Sequence, residues 1–315
     1  MPFLFSRWAD STTLLRAPRF GGQAFPRTAR FGGLALAVLL APLGLGAHPA
    51  TPQFTSGVNV VEVYAAATDA KGNPVTGLRL EDFTVLEDGR PQSLSAFAEG
   101  DFPLSVAVAL DRSFSMGAKQ LPSAISAARM FLGELRPQDQ SMIVGIGSEI
   151  EVLAPLSTDR PAQQRVLSSV KPWGTTGLHD AIIEAIDAVQ EAKGRRALLL
   201  LSDGNDRYSK ASASDALDRA RRSDVMIYPL AFGRERPPLF AELATLTGGR
   251  SFQPRDAEQL NTMMRTIANE LRHQYLLGYT PSRPIVAGEP QWRSIVVQVN
   301  RPGVTVRARD GYQAK

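Results

Sequence analysis

Four short apolar runs, at residues 104–110, 142–147, 197–201 and 225–232, constrain the fold of this chain more than any other feature. Each is continuous rather than alternating, which is the pattern of parallel strands covered on both faces. The segments between them carry helical periodicity. Leu178, Ala181, Ile182, Ala185, Ile186 and Val189 fall on one face of a helix, as do Leu260, Met263, Met264, Ile267 and Leu271. The methionines read as core packing. Strands alternating with helices predict an α/β fold, a doubly wound and mostly parallel sheet, over residues 102–273.

The flanks follow another pattern. Residues 55–99 are β-rich: strand formers run from Val58 to Ala66, turn residues cluster from Asp69 to Pro74, and a second extended run passes through Phe83 to Leu86. Glu87-Asp88-Gly89-Arg90 reads as a hairpin turn, with a strand from Pro91 to Phe97 completing the hairpin. After Gln274 the pattern is β again, at Tyr275–Tyr279, Trp292–Asn300 and Val304–Arg309. None of these strands could stand alone. The simplest arrangement pairs residues 55–99 with 274–312 in one small β-sandwich, with the α/β unit inserted between them.

The 315 residues allow a leader and one or two domains, and with 43% apolar and 21% charged residues the chain is not compositionally disordered. The formal charge of +4 suggests a nucleic-acid partner until it is mapped. Residues 1–47 contain Arg7, Arg16, Arg19, Arg27 and Arg30 against the single acid Asp10. Removing these from 35 basic and 31 acidic residues leaves 30 of each, so the electrostatic footprint of a nucleic-acid binder is missing.

The leader has its own logic. Arg27 and Arg30 precede an apolar segment from Gly33 to Leu45 that ends in the small residues Gly46 and Ala47. This is the layout of a secretory signal peptide over residues 1–47. The segment is short for a bilayer and Pro42 interrupts it, so a cleaved signal is favoured over a permanent anchor. A membrane association would run through the leader only if it were left uncleaved. The expected location is the periplasm or the cell exterior. The absence of cysteine excludes disulfide scaffolds, thiolate metal sites and a catalytic thiol, and the three histidines show no zinc-ligand spacing.

Chemistry concentrates where apolar runs end. Asp111-Arg112-Ser113-Phe114-Ser115 follows the run at 104–110, Thr176 precedes the helix at Leu178, and Asp203 follows the run at 197–201. In open α/β sheets ligands bind beyond the carboxyl ends of the strands, so all three segments can meet on one edge. Three hydroxyls and two carboxylates are hard oxygen donors of the kind that suits magnesium. Asp and Ser after strands are also common turn and cap residues, and Asp-x-Ser-x-Ser alone would more often be structural. The joint placement at three junctions in order is what favours a site.

These motifs resemble the von Willebrand factor type A domain with a metal-ion-dependent adhesion site. Asp111 to Ser115 is similar to the family's Asp-x-Ser-x-Ser, Gly174-Thr175-Thr176-Gly177-Leu178-His179-Asp180-Ala181 to its Gly-x-Thr-x-Leu-x-Asp-Ala segment, and Leu201-Ser202-Asp203-Gly204 to its third motif. The resemblance covers about residues 102–272, and the flanks resemble bacterial secreted relatives. It implies a Rossmann-like sheet and a Mg2+ or Mn2+ ion held by Asp111, Ser113, Ser115, Thr176 and Asp203. It implies hydroxyls bound directly, aspartates acting largely through water, and a partner carboxylate completing the shell. Arg112 and Phe114 replace the smaller residues common in that loop and are large enough to shape the rim, and Arg112 could attract an acidic partner. His179 stands where the family often has tyrosine, which favours packing over catalysis. Asp180, Asp206 and Arg207 read as caps and solvated charges, and Arg219, Arg221 and Arg222 as a solvated helix face.

The expected function is therefore that of an exported, non-enzymatic module for adhesion or assembly, whose protein ligand brings an acidic side chain. A structural envelope subunit that uses the metal for stability is one alternative. A hydrolase is another, although the chain has neither a Gly-x-Ser-x-Gly elbow nor a Walker-type loop.

Overall fold

The computed structural model describes residues 60–100, 102–285 and 290–314. The expected signal peptide lies outside these residues. The chain first contributes four strands, β1 (Val61–Thr68), β2 (Phe83–Glu87), β3 (Arg90–Gln92) and β4 (Leu94–Glu99). It then enters the α/β unit through β5 (Leu104–Asp111), α1 (Gly117–Glu134), β6 (Gln140–Ile146), β7 (Ile150–Ser157), α2 (Arg160–Ser169), α3 (Leu178–Gln190) and β8 (Arg195–Ser202). The unit closes with α4 (Ala213–Arg221), β9 (Val225–Ala231), α5 (Pro238–Thr247) and α6 (Ala257–Arg272). Four further strands end the chain: β10 (Gln274–Tyr279), β11 (Gln291–Val299), β12 (Thr305–Arg307) and β13 (Gly311–Ala314).

The central sheet has the order β7-β6-β5-β8-β9. β6, β5, β8 and β9 are parallel, as their continuous apolar runs require, and β7 adds an antiparallel edge. β5 is buried along its whole length. Its Val106, Val108 and Leu110 pack with Phe131 of α1 and Met264 and Leu271 of α6. Ala107 and Ala109 face the opposite layer, with Ile182 and Ile186 of α3 and Phe240 of α5. Both apolar helical faces expected from the sequence are thus buried against the sheet. The edge strand β7 was not expected. Its residues 151–153 are partly or well exposed and its register against β6 is irregular, so no clean alternation marks it.

The flanking segments form two four-stranded antiparallel sheets, ordered β12-β1-β10-β4 and β13-β11-β2-β3. Each sheet draws strands from both sides of the insertion. They share one apolar core that includes Val63, Val85, Phe83, Tyr275, Leu277 and Ile295. The β2–β3 turn has Asp88 at φ 48° and Gly89 at φ 76°, the double left-handed geometry of the tight hairpins that Asp-Gly favours. Two expectations fail in a common way. Residues 91–97 do not form one hairpin strand: β3 ends at Gln92, and β4 crosses to pair with β10 in the other sheet. Residues 304–309 likewise yield only the short β12, after which β13 pairs with β11. Chains that turn the corner of a sandwich change partners in this way, because one continuous strand would leave the second sheet's inner face uncovered. Leu94 and Phe97 fill that face.

A buried ionic knot anchors the sandwich. Glu87, 3% exposed, accepts hydrogen bonds from Arg293 Nη1 at 3.0 Å and from the hydroxyls of Tyr279 and Tyr312 at 2.9 Å each. Arg293 is fully buried and also donates to the carbonyls of Arg283 and Pro284. Burial, and then the hydrogen bond to Glu87, raise the hydroxyl pKa of Tyr279 well above the usual tyrosine value. Further ties join sandwich and insertion: Arg307 pairs with Glu270 of α6 at 2.5 Å, and Arg221 of α4 with Asp310 at 2.7 Å. Arg221 is therefore not part of a merely solvated face, and Arg219 pairs with Asp187 at 2.5 Å.

Removing one member of a buried ion pair strands the other charge. Glu87→Ala is expected to lower unfolding free energy by about 3–5 kcal/mol in urea titrations. Glu81→Ala, which loses only the exposed pair with Arg79, should leave the transition midpoint unchanged.

Candidate functional site

The carboxyl edge of the sheet brings the segments 111–115, 174–180 and 202–209 together. Asp111 closes the central strand and is fully buried. Its Oδ1 accepts the main-chain N–H of Ser113 at 2.9 Å, and its Oδ2 accepts the hydroxyl of Ser202 at 2.6 Å. Ser202 ends the neighbouring strand β8, and its Oγ also accepts the N–H of Gly204 at 3.0 Å. Ser202 did not stand out in the sequence, yet it fixes the carboxylate that the site is built around. The cue was its place in the Leu201–Gly204 motif, beside Asp203 at the end of a buried run.

The three expected hydroxyls converge. Thr176 Oγ1 donates to Ser113 Oγ at 2.8 Å, Ser113 Oγ lies 3.0 Å from Ser115 Oγ, and Ser115 Oγ lies 3.5 Å from Thr176 Oγ1. Ser113 and Thr176 are buried, whereas Ser115 is exposed and leaves the cluster open on its side. Asp203 is mostly buried, and its Oδ1 accepts the N–H of Asn205 at 3.0 Å. Burial raises the Asp111 carboxyl above the usual carboxylate range, and the charge of Asp203 adds to this. The hydrogen bonds from Ser113 and Ser202 oppose it.

Among the described residues neither Asp111 nor Asp203 has a cationic side-chain partner within ion-pair distance. A buried carboxylate normally requires such compensation. No group of three or more acidic or histidine side chains suited to a metal occurs there either. A cation at this edge would therefore rest on neutral hydroxyls with two acids behind them. The oxygen-only donor set fits a hard dication.

Close backbone approaches hold the loops. Gly174 has φ 74°, and a Cβ there would fall 2.6 Å from Ser148 Oγ. Gly204 has φ 82°, and a Cβ would fall 2.0 Å from Pro237 Cγ. Asp206 accepts the N–H of Leu178 at 2.7 Å and the hydroxyl of Ser209 at 2.6 Å, and Asp180 accepts the N–H groups of Lys210 and Ala211. Both acids act as loop and helix caps. His179 Nδ1 lies 3.1 Å from the Ala211 carbonyl and 3.6 Å from Asp206, so it belongs to this same bracing.

The rim differs from expectation at Arg112. Its guanidinium pairs with Glu151 of β7 at 2.6 Å and lies 5.0 Å over the Trp173 ring, with the side chain 14% exposed. It is neutralised from the unforeseen edge strand and does not offer a free charge to a partner. Phe114 does reach the rim, at 68% exposure. Trp173 and Tyr208, neither singled out by sequence, are exposed at 40% and 62%. Main-chain bonds place all three aromatics beside the donor loops: Phe114 N–H to Gly174 O, Trp173 N–H to Arg112 O, and Tyr208 N–H to Thr176 O. The side chain of Arg207, whose N–H also donates to Thr176 O, is exposed next to them.

Residues 106–205 match the model of the von Willebrand factor type A domain, so such a domain lies within the inserted unit. No curated protein matches the chain. Among solved structures, the chain is similar to the conserved hypothetical protein BatB from Bacteroides thetaiotaomicron, with 18% identity and a TM-score of 0.45, over 53% of this chain and 98% of that one. It is similar to a von Willebrand factor type A protein from Catenulispora acidiphila, with 13% identity and a TM-score of 0.49, over 83% of this chain and 74% of that one. It is also similar to the vWF domain of the type V pili tip protein Mfa5 from Porphyromonas gingivalis, with 12% identity and a TM-score of 0.47, over 55% of this chain and 96% of that one.

The left-handed backbone at Gly204 and its contact with Pro237 allow no side chain. Gly204→Ala is expected to destabilise the protein by more than about 1 kcal/mol, measured as a lowered midpoint in chemical denaturation.

Proposed function

We propose that this protein is an exported, non-enzymatic binding module in which Asp111, Ser113, Ser115, Thr176 and Asp203 hold Mg2+ or Mn2+ and a protein partner supplies a carboxylate. The observation that carries the proposal is the triangle of Ser113, Ser115 and Thr176 hydroxyls, closed to within 3.5 Å beside an uncompensated buried carboxylate. When bound, the ion would supply the positive charge that the buried acids lack and that a partner carboxylate would seek. Neutral hydroxyls would leave most of that charge available. The exposed Ser115 marks the side from which a ligand would approach.

The rim sets the second part of recognition. Phe114, Trp173 and Tyr208 are three large, exposed aromatic side chains around one small polar centre. Aromatic residues at the core of an interface supply contact area at low entropic cost, and they are enriched among residues that dominate binding. With Arg112 neutralised by Glu151, the exposed Arg207 is a cation placed to complement an acidic partner. Charge of this kind contributes to encounter rate and selectivity more than to affinity. Export follows from the leader motif. Among the described residues no helix is long and apolar enough to cross a membrane.

The test is thermal melting of the protein in EDTA and in rising Mg2+. An ion at a hundredfold excess over its Kd adds about 2.7 kcal/mol if only the native state binds it. For a chain of this size the melting point should rise by about 5–10 °C. The rise should vanish in Asp111→Asn and persist in Phe114→Ala, which keeps every donor. A wild-type protein that melts identically in EDTA and Mg2+, or an Asp111→Asn variant that keeps the full rise, would contradict the assignment.

A further inference from the structure

Apart from the donor cluster, α5 and the segment after it face the sandwich across a groove of about 850 Å³. None of the five donor residues lines it. One wall is a short strand edge. Phe252 extends the central sheet by a single parallel pairing, its N–H donating to Pro229 O at 2.8 Å and its carbonyl accepting the N–H of Ala231 at 2.9 Å. That pairing turns the main chains of Ser251 and Gln253 away from β9 and toward the groove. Among the described residues neither makes a main-chain hydrogen bond.

The charges in the groove are one-sided. Arg236, Arg250 and Arg255 line it, and among the described residues none has a carboxylate partner. Arg236 donates to Ser251 Oγ at 3.2 Å, and Arg250 lies 4.9 Å over the Phe252 ring. Asp310 is the acid in the lining, and Arg221 already holds it at 2.7 Å. Apolar side chains complete the lining, from Met263, Val306 and Val296, and Val296 is 48% exposed. An open edge, uncompensated guanidinium groups and an exposed valine are unrelated features that coincide here.

We infer that this groove docks an extended, acidic segment of a partner protein, which adds to the sheet at Ser251–Gln253. The edge would supply main-chain hydrogen bonds, and side chains on one side of the added strand would enter the apolar lining. Acids on the alternate positions would meet Arg236, Arg250 and Arg255, because successive side chains of a strand point to opposite faces. Arginine suits this role because its planar fork binds carboxylates in two-point geometry. A nucleic acid would match the charge but neither the apolar lining nor the strand edge.

The test probes an array of short peptides of varied charge and apolar spacing with the full-length protein in EDTA, which removes any contribution of the cation site. Bound sequences should be net acidic with apolar residues at alternate positions. Charge reversal at exposed Arg255 and at Arg236 should weaken them about tenfold or more, with melting unchanged as the check on folding. Val296→Ser should weaken the alternating peptides and spare a plain polyacid. Absence of bound peptides, selection of neutral or basic ones, retained affinity in the reversed variants, or equal competition by a single-stranded oligonucleotide would each overturn the inference. Because no divalent ion is present, failure here leaves the cation site standing, and failure of the cation site leaves this result standing.

Discussion

The position of β5 at the centre of the sheet is the constraint on which the rest depends. It is hydrogen-bonded on both sides, to β6 and β8, and covered on both faces. Its last residue, Asp111, has no freedom to swing into solvent. A carboxylate held there must be satisfied locally, and the chain does so with the Ser113 N–H and the Ser202 hydroxyl, one from its own loop and one from the adjacent strand. Fixing Asp111 fixes the turn that follows, and with it Ser113 and Ser115. The segment carrying Thr176 is then held by main-chain bonds from Phe114 to Gly174 and from Trp173 to Arg112. Burial of an apolar strand is thus what orders a polar cluster at its end.

Much of this was legible in the sequence because it depends on local pattern. Continuous apolar runs marked the four parallel strands, and the periodicity of 178–189 marked α3. The placement of Asp111, Ser113, Ser115, Thr176 and Asp203 at run ends anticipated a common edge, and the structure brings the three hydroxyls together there. What was not legible depends on partners far away in the chain. The crossing of residues 90–99 from one sheet to the other follows from which faces need covering, and no feature of those residues announces it. β7 escaped because an exposed, irregular edge strand lacks a burial pattern. Its absence misled the reading of Arg112, since the charge of Glu151 arrives only with that strand.

Charge is distributed by region. Outside the leader the acids and bases balance, and two pairs, Arg307–Glu270 and Arg221–Asp310, tie the sandwich to the insertion. Two places break the balance in opposite senses. At the carboxyl edge two acids are buried without a cation, and along the α5 flank three arginines stand without an acid. Where burial and pairing fail to explain a charge, an external partner is the physical alternative, a cation in the first case and an acidic chain in the second. The aromatic rim of Phe114, Trp173 and Tyr208 belongs to the same logic, because large exposed rings beside the donor loops mark contact surface.

The most direct measurement is an anomalous difference map from crystals grown with Mn2+. The account predicts one strong peak within coordination distance of the Ser113 and Ser115 hydroxyls and beside Thr176. Asp111 and Asp203 should lie in its immediate surroundings, and the peak should be absent from crystals grown in EDTA. A map with no peak at the carboxyl edge, or with manganese bound only to surface carboxylates elsewhere, would contradict it.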